Sequence, residues 1–157
     1  MCEADGASHF LFRLEVMMPV RGIRGANSVA ANTRESILAA TRELLRAICQ
    51  ANPGLRPEDM ASIFFTLTPD LNAVYPAYAA RQLGWLQVPL LSAQELSVPN
   101  AMPRVVRVLI HWNTDRPQSA IRHVYLGEAA RLRPDLARGG PLPPNEAAIS
   151  PCQEVQP

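Results

Sequence analysis

The chain contains no lysine, so all 15 of its basic residues are arginine. Without a lysine amine there is no Schiff-base nucleophile, which excludes pyridoxal-dependent enzymes and lysine-dependent aldolases. The Gly-Lys-Ser/Thr end of a phosphate-binding loop is missing for the same reason. A guanidinium does not act as a general base at neutral pH, because its pKa is too high. The cationic chemistry that remains is the forked binding of carboxylates and phosphates.

Other scarce features narrow the class of protein. Aromatic residues make up 6% of the chain and the net charge is +1, so the sequence does not indicate nucleic-acid binding. Cys2, Cys49 and Cys152 form no zinc or Cys-x-x-Cys spacing, which favours free thiols in a reducing cytoplasm. No apolar run approaches the ~20 residues of a membrane-spanning helix, and the N-terminus is no convincing signal peptide. We therefore expect a cytoplasmic protein without metal, nucleic acid or membrane as partner.

The length of 157 residues and the hydrophobic content of 48% predict one domain with a single core. We place this domain at residues 17–136. Residues 1–16 are predicted to form a flexible N-terminal extension. Residues 137–157 are rich in proline and glycine and predict a flexible C-terminal tail.

Hydrophobic patterning predicts the element order β-α-β-α-β-β. The long helix is expected to be capped by Asn32 or Thr33 and to stop at Asn52-Pro53-Gly54. Gly25 is expected to end the first strand. The predicted strands cover 20–26, 61–68, 86–91 and 104–112, a short helix covers 77–82, and 121–132 is ambiguous between strand and helix. The predicted class is α+β, or mixed α/β, with a mixed sheet of about five strands packed against one long and one short helix.

Polar residues within and beside the strands are the candidates for chemistry. Arg107 interrupts an apolar run, so it either lies on an exposed face or is buried with a partner, for which Glu95 is a candidate. Arg21 and Arg24 are three positions apart and point to opposite faces of their strand. No serine, histidine or cysteine has the setting of a nucleophile or a metal ligand. The residues alone leave open whether Arg107 and Arg24 are structural charges or bind an anion, in a reaction catalysed by charge and positioning.

Five short motifs occur in order between about residues 19 and 136. They are Arg21-Gly22-Ile23-Arg24-Gly25-Ala26, Thr68-Pro69-Asp70-Leu71-Asn72-Ala73-Val74-Tyr75-Pro76-Ala77, Val88-Pro89 with Gln94-Glu95, Arg107-Val108, and Ile121-Arg122-His123-Val124-Tyr125-Leu126 with Leu132-Arg133-Pro134-Asp135-Leu136. Together they closely resemble the AroH-type monofunctional chorismate mutases.

The resemblance implies a homotrimer that looks like a pseudo-α/β-barrel, with active sites in clefts between neighbouring subunits. It also implies the intramolecular Claisen rearrangement of chorismate to prephenate, in phenylalanine and tyrosine biosynthesis, with no metal or cofactor. Such a step transfers no proton, so it needs only a restrained substrate conformer and charge stabilisation at the ether oxygen. Arginine supplies both, which agrees with the lysine-free composition.

Roles for individual residues follow from the resemblance. Arg107 is placed against the breaking ether oxygen and a carboxylate, Arg24 and Tyr125 hold the enolpyruvyl carboxylate, and Glu95 accepts from the ring hydroxyl. The outer arginines Arg81 and Arg133 attract or cover the substrate, and the residues that line the pocket are Tyr75, Ala77, Leu91 and Leu132.

Two residues depart from the family pattern. Ser92 stands where well-known members have a cysteine near the ring hydroxyl, and a hydroxyl can still make a hydrogen bond there. Tyr78 stands where a lysine can occur at the pocket rim, so we expect slower capture of the dianion. The main alternative to an active mutase is a non-catalytic trimeric module that binds a carboxylate metabolite between subunits. A further alternative is an oligomerisation domain in which Arg107 and Glu95 form only an internal ion pair.

Overall fold

The computed structural model describes residues 18–137. The predicted N-terminal extension and nearly all of the predicted C-terminal tail lie outside these residues, together with Cys2 and Cys152. The helices and strands are β1 (Val20–Ser28), α1 (Arg34–Ala51), β2 (Met60–Leu67), α2 (Ala77–Gln82), β3 (Leu90–Gln94), β4 (Val105–Asn113), β5 (Val124–Leu126) and α3 (Pro134–Ala137), with short 3-10 segments at Pro57–Asp59, Gln118–Ala120 and Gly127–Leu132.

The five strands form one mixed sheet in the order β3-β2-β4-β1-β5. The central strand β4 runs antiparallel to both β1 and β2, while the edge strands β3 and β5 run parallel to β2 and β1 respectively. The expected α+β class with about five strands is therefore confirmed. The described region contains no helix long and apolar enough to cross a membrane.

The long helix α1 covers one face of the sheet. The Thr33 side chain accepts the Ser36 N–H and caps the first turn, as one of the two predicted alternatives. The helix buries an apolar stripe that includes Ile37, Leu44 and Ile48. At its end the Asn52 side chain bonds the backbone of Arg122, which fixes the chain just before β5.

Gly25 does not end β1, contrary to the expectation, because the strand continues to Ser28. A Cβ at Gly25 would lie 2.8 Å from Ile48 Cδ1 and 3.1 Å from Leu44 Cδ1. The glycine therefore marks a close approach of α1 to the sheet rather than a strand end. In the sequence, a glycine at such a close approach cannot be distinguished from a glycine that ends a strand at a turn.

Two other segments differ from the predicted boundaries. The third strand was expected at 86–91 but begins only at Leu90, after Pro89, whose carbonyl accepts the Ile63 N–H. Pro89 has no N–H to donate, so it precedes the paired residues of an edge strand. The ambiguous segment 121–132 contains both a three-residue strand and a 3-10 segment, and Gly127 turns the chain between them at φ +53°.

The face of the sheet opposite α1, which we call the outer face, is only partly covered. The segment Gly127–Leu132 packs Ala129 against Ala26, Val105 and Tyr125. Elsewhere on the outer face Phe64, Leu109 and Leu91 form an apolar row across three strands and are 39%, 37% and 56% exposed. This row is the apolar part of the sheet for which the described residues provide no cover.

Candidate active site

Three adjacent strands bring Arg24, Arg107 and Tyr125 together on the outer face. Ala26 of β1 is in register with Arg107 of β4 on one side and with Tyr125 of β5 on the other. Arg24 lies two residues earlier on β1, so it points to the same face. The three side chains line one cavity of about 580 Å³, together with Leu132 and Arg133. We refer to this as the arginine cavity.

Arg107 is held from behind by Glu95. Its guanidinium makes an ion pair with Glu95 Oε2, while the Thr66 hydroxyl donates to Glu95 Oε1 at 2.5 Å. The Glu95 N–H bonds the Leu67 carbonyl, which fixes the chain after β3. The Glu95 side chain is only 14% exposed and that of Arg107 38%. Because a guanidinium carries several donors, Arg107 is fixed in position and still has N–H groups for an anion.

Glu95 and Arg107 also line a second space of about 770 Å³ with Thr66. Arg107 therefore stands between this space and the arginine cavity. The predicted pairing of Arg107 with Glu95 is present, and Arg107 of this pair lines the spaces on both sides. This geometry agrees with Arg107 as one half of a structural ion pair. It also leaves the guanidinium accessible to an anion in the arginine cavity.

His123 and Asp135 support the arginines of the cavity. The Arg24 N–H donates to His123 Nδ1 at 3.0 Å, immediately before β5 begins. Burial lowers the pKa of His123, and the charges of Arg24 and Arg133 lower it further. Arg133 binds both carboxylate oxygens of Asp135, at 3.0 and 2.7 Å, and this hydrogen bonding lowers the pKa of Asp135. The guanidinium of Arg133 is thus fixed beside the cavity.

The remaining predicted residues lie in a different part of the chain. Tyr75, Tyr78 and Ser92 line a cavity of about 490 Å³ between the start of α1, α2 and β3, which we call the tyrosine cavity. Arg81 stacks on the Tyr78 ring, with Cζ 5.6 Å from the ring centroid. Ala77 begins α2. Ser92 is in register with the core residue Phe65, so it faces away from Arg107 and Glu95.

The structure therefore divides the predicted site residues into two groups. One chain brings Arg24, Glu95, Arg107 and Tyr125 together, with Leu132 and Arg133 around them. It does not bring Ser92, Tyr75, Ala77, Tyr78 or Arg81 to that group. Leu91 lies on the exposed apolar row of the outer face.

Several residues of these cavities gave little signal in the sequence. Asn32 Oδ1 accepts the N–H groups of Asn72 and Ala73, at 3.0 and 3.1 Å, and so fixes the wall of the tyrosine cavity to the start of α1. Thr66 and His123 hold Glu95 and Arg24 as described above. Asn32 was predicted as a cap alternative, but no local pattern indicates its partners 40 residues away. Within residues 18–137 no group of three His, Cys, Asp or Glu side chains is placed to hold a metal ion.

Comparisons with known proteins find relatives over most of the chain. The family described as chorismate mutase type I matches residues 20–136. A chorismate mutase AroH of Thermus thermophilus is 57% identical over 117 residues, which cover 74% of this chain and 96% of the relative. One from Bacillus subtilis is 46% identical over 121 residues, covering 76% and 94%.

A solved structure, a chorismate mutase from Clostridium thermocellum, is 43% identical, with a TM-score of 0.68 over 70% of this chain and 97% of its own. The family match over residues 20–136 covers all five strands and both groups of predicted site residues. The chain belongs to the type I chorismate mutase family.

Proposed function

We propose that this chain catalyses the rearrangement of chorismate to prephenate, with Arg107 as the principal group that stabilises the transition state. The observation that carries the proposal is the meeting of Arg24, Arg107 and Tyr125 in one cavity with Glu95 behind Arg107. Two guanidinium groups and a phenol are the donors that a dicarboxylate ligand requires. None of them is a general base at neutral pH, and the reaction needs none.

The proposed catalysis depends on a guanidinium that is already in position before the substrate binds. As the ether bond breaks, negative charge grows on its oxygen, and a fixed guanidinium stabilises that charge without rearranging in the transition state. Glu95 and Thr66 hold Arg107 before substrate arrives. Arg24 and Tyr125 bind a carboxylate and hold the flexible substrate in its compact conformer, which lowers the entropic part of the barrier. Glu95 is also the acceptor that we assign to the ring hydroxyl.

We further propose that a second copy completes the site and that three copies assemble. The exposed row of Phe64, Leu91 and Leu109 lies beside the arginine cavity and needs an apolar cover. The tyrosine cavity carries Tyr75, Tyr78 and Ser92, next to helix α2 with Ala77 and Arg81, and lies toward the opposite edge of the sheet. A head-to-tail contact would bring the tyrosine cavity of one copy to the arginine cavity of the next, and such contacts close into rings.

Supporting assignments follow from this arrangement. The residues assigned to the pocket wall and rim are Tyr75, Ala77, Tyr78, Arg81, Leu91, Ser92, Leu132 and Arg133. Residues 17–136 are the catalytic domain that we assign. We place the enzyme in the cytoplasm, where a free thiol such as Cys49 persists.

The test is chorismate turnover by the purified chain without added metal or cofactor. We expect Arg107→Ala to lower kcat by roughly 10²–10³-fold, the range found when one preorganised donor to an oxyanion is removed. Arg107→Lys should recover only part of this, because an ammonium cannot reproduce the planar fork. Arg56→Ala, an exposed arginine remote from both cavities, is the matched control and should leave kcat unchanged.

Two outcomes would contradict the proposal. Binding of a carboxylate ligand without appearance of prephenate would favour the non-catalytic module. Normal turnover by Arg107→Ala would remove Arg107 from the mechanism. Circular dichroism of each variant shows whether the fold is kept, because loss of Arg107 leaves Glu95 without its partner in a mostly buried position.

A further inference from the structure

Arg34 is an exposed arginine in an unfavourable position. It is the first residue of α1, immediately after the Thr33 cap. The unpaired N–H groups of a helix N-terminus carry partial positive charge, so acidic residues are favoured there and a guanidinium is disfavoured. Among residues 18–137 no carboxylate lies within 4 Å of Arg34. Neither the helix nor an ion pair therefore explains why this position is basic.

The contacts of Arg34 lead to the tyrosine cavity. Its Cζ lies 5.4 Å from the centroid of the Tyr78 ring, and Arg81 Cζ lies 5.6 Å from the same ring. Both distances are within the range of a favourable cation–π contact. One aromatic ring thus gathers two cations that would otherwise repel each other. Arg34 itself lines the cavity beside Tyr75, Tyr78 and Ser92.

This arrangement gives the tyrosine at position 78 a role that the sequence did not indicate. A lysine at the pocket rim would supply one cation directly. Tyr78 supplies none, but its ring orients the guanidinium of Arg34 at the cavity wall, and a planar fork matches a carboxylate better than an ammonium does. Arg34, which belongs to α1, thus brings a cation to the same cavity wall.

We propose that Arg34, positioned by the Tyr78 ring next to Arg81, is a substrate-capture residue that attracts and orients a carboxylate of the dianionic substrate. This inference rests on the proposed function, because it takes the tyrosine cavity as the part of the site supplied by the second copy. Arg34 acts on the approach and binding of substrate. It is not assigned to the transition state, since Arg107 and Arg24 lie in the other cavity.

The experiment compares steady-state kinetics of the full chain with those of Arg34→Gln over a range of salt concentrations. At low ionic strength we expect kcat/KM to fall roughly three- to tenfold through KM, with kcat unchanged. The difference should shrink as salt rises, because exposed charges are screened. In thermal unfolding, Arg34→Gln should keep or raise the Tm, since the change removes a cation from a helix N-terminus. A purely structural role would move stability and affinity in the same direction.

Control variants separate the ring from the charge. Arg46→Gln removes the same charge from an exposed position of α1 twelve residues away, about 18 Å along the helix, and should leave KM unchanged. Tyr78→Phe keeps the ring and should retain most of kcat/KM, while Tyr78→Leu removes the ring and should lose as much as Arg34→Gln does. Arg34→Lys should be intermediate.

The inference and the proposed function fail in different ways. If the unaltered chain does not turn over chorismate, the proposed function is wrong and the inference falls with it. If the chain is active and Arg34→Gln has unchanged kcat/KM at low salt, the inference alone is wrong. An equal loss in Arg46→Gln would likewise contradict it, because the effect would then come from net charge.

Discussion

At the scale of single residues, the candidate site is built from charges whose positions are fixed by partners of a different kind. The guanidinium of Arg107 is fixed by a carboxylate and that of Arg133 by a bidentate ion pair, whereas at Arg24 His123 holds the backbone through its N–H. A fixed cation loses little entropy when it binds substrate, which is why such pairs precede the ligand.

His123, which accepts the backbone N–H of Arg24, is expected to make the candidate site depend on pH. His123 Nδ1 accepts the Arg24 N–H, so the ring must be neutral with its proton on Nε2. Burial of the ring lowers the pKa of His123, and so do the charges of Arg24 on β1 and Arg133 before α3. Protonation would place a third cation there and remove the acceptor. Protonation of His123 therefore weakens the contact between β1 and the start of β5. Arg24 and Tyr125 both depend on this contact for their positions.

We expect stability and kcat/KM to fall together on the acid side. The folded pKa of His123 lies below its usual 6.5, so below pH 6.5 the unfolded chain binds more protons than the folded chain. The free energy of unfolding therefore decreases as the pH falls from 6.5 through the folded pKa, and levels off below it. His123→Asn keeps an acceptor that does not titrate, and this limb should disappear from its profile.

His123→Leu is the matched variant, since it has neither acceptor nor charge. It should lose activity at every pH because the Arg24 N–H then lacks its partner. The measurements are urea unfolding and kcat/KM between pH 5 and about 8. If the decrease in stability and kcat/KM at acid pH persists unchanged in His123→Asn, another titrating group causes it.

At the scale of elements, β1 and α1 come close together at Gly25. We expect Gly25→Ala to destabilise the chain by about 1–3 kcal/mol, because the new Cβ would lie 2.8 Å from Ile48 Cδ1 and 3.2 Å from Val108 Cγ1 in a packed core. Arg24 precedes this residue, so kcat should fall as β1 moves. The measurement is urea unfolding at one fixed protomer concentration.

Gly22→Ala on the same strand is the control. Its Cβ would meet only Leu109 Cδ1, at 3.7 Å, which is an ordinary contact on the outer face. Replacing a strand glycine without a clash should be neutral or slightly stabilising. Equal losses in the two variants would mean that β1 glycines act through strand flexibility and not through the approach of α1.

The elements differ in how far the sequence specifies them. α1 was predictable to its cap because a long 3.6-residue period and a local stop signal coincide. β3 and β5 were not, since strands of five and three residues depend on pairing with β2 and β1 rather than on their own pattern. Arg107 and Glu95 could be paired from the charge inside an apolar strand. Asn32, Thr66 and His123 could not, because their partners lie 29 to 99 residues away.

At the scale of the whole molecule, one chain presents the arginine cavity and the tyrosine cavity at different parts of its surface. The arginine cavity lacks the wall residues Tyr75 and Tyr78, and the tyrosine cavity lacks Arg107 and Arg24. If neighbouring copies complete one another, each active site takes one cavity from each of two chains. Defects in different cavities then reside in different halves and should complement in a mixed assembly.

We therefore expect two inactive variants to restore activity when they are co-expressed in one assembly. Arg107→Ala disables the arginine cavity, and Tyr75→Asp places a negative charge at the exposed wall of the tyrosine cavity, where it repels a dianion. In an equal random mixture about a quarter of all sites combine an intact cavity from each chain, and in a trimer that holds both chains this is one site of three, so about a third of wild-type turnover should return in the isolated mixed trimers. Arg107→Ala mixed with Arg24→Ala is the control and should recover nothing, because both changes disable the same cavity. Distinct affinity tags on the two chains isolate the mixed assemblies, and if these form without any recovery, each site lies within a single chain.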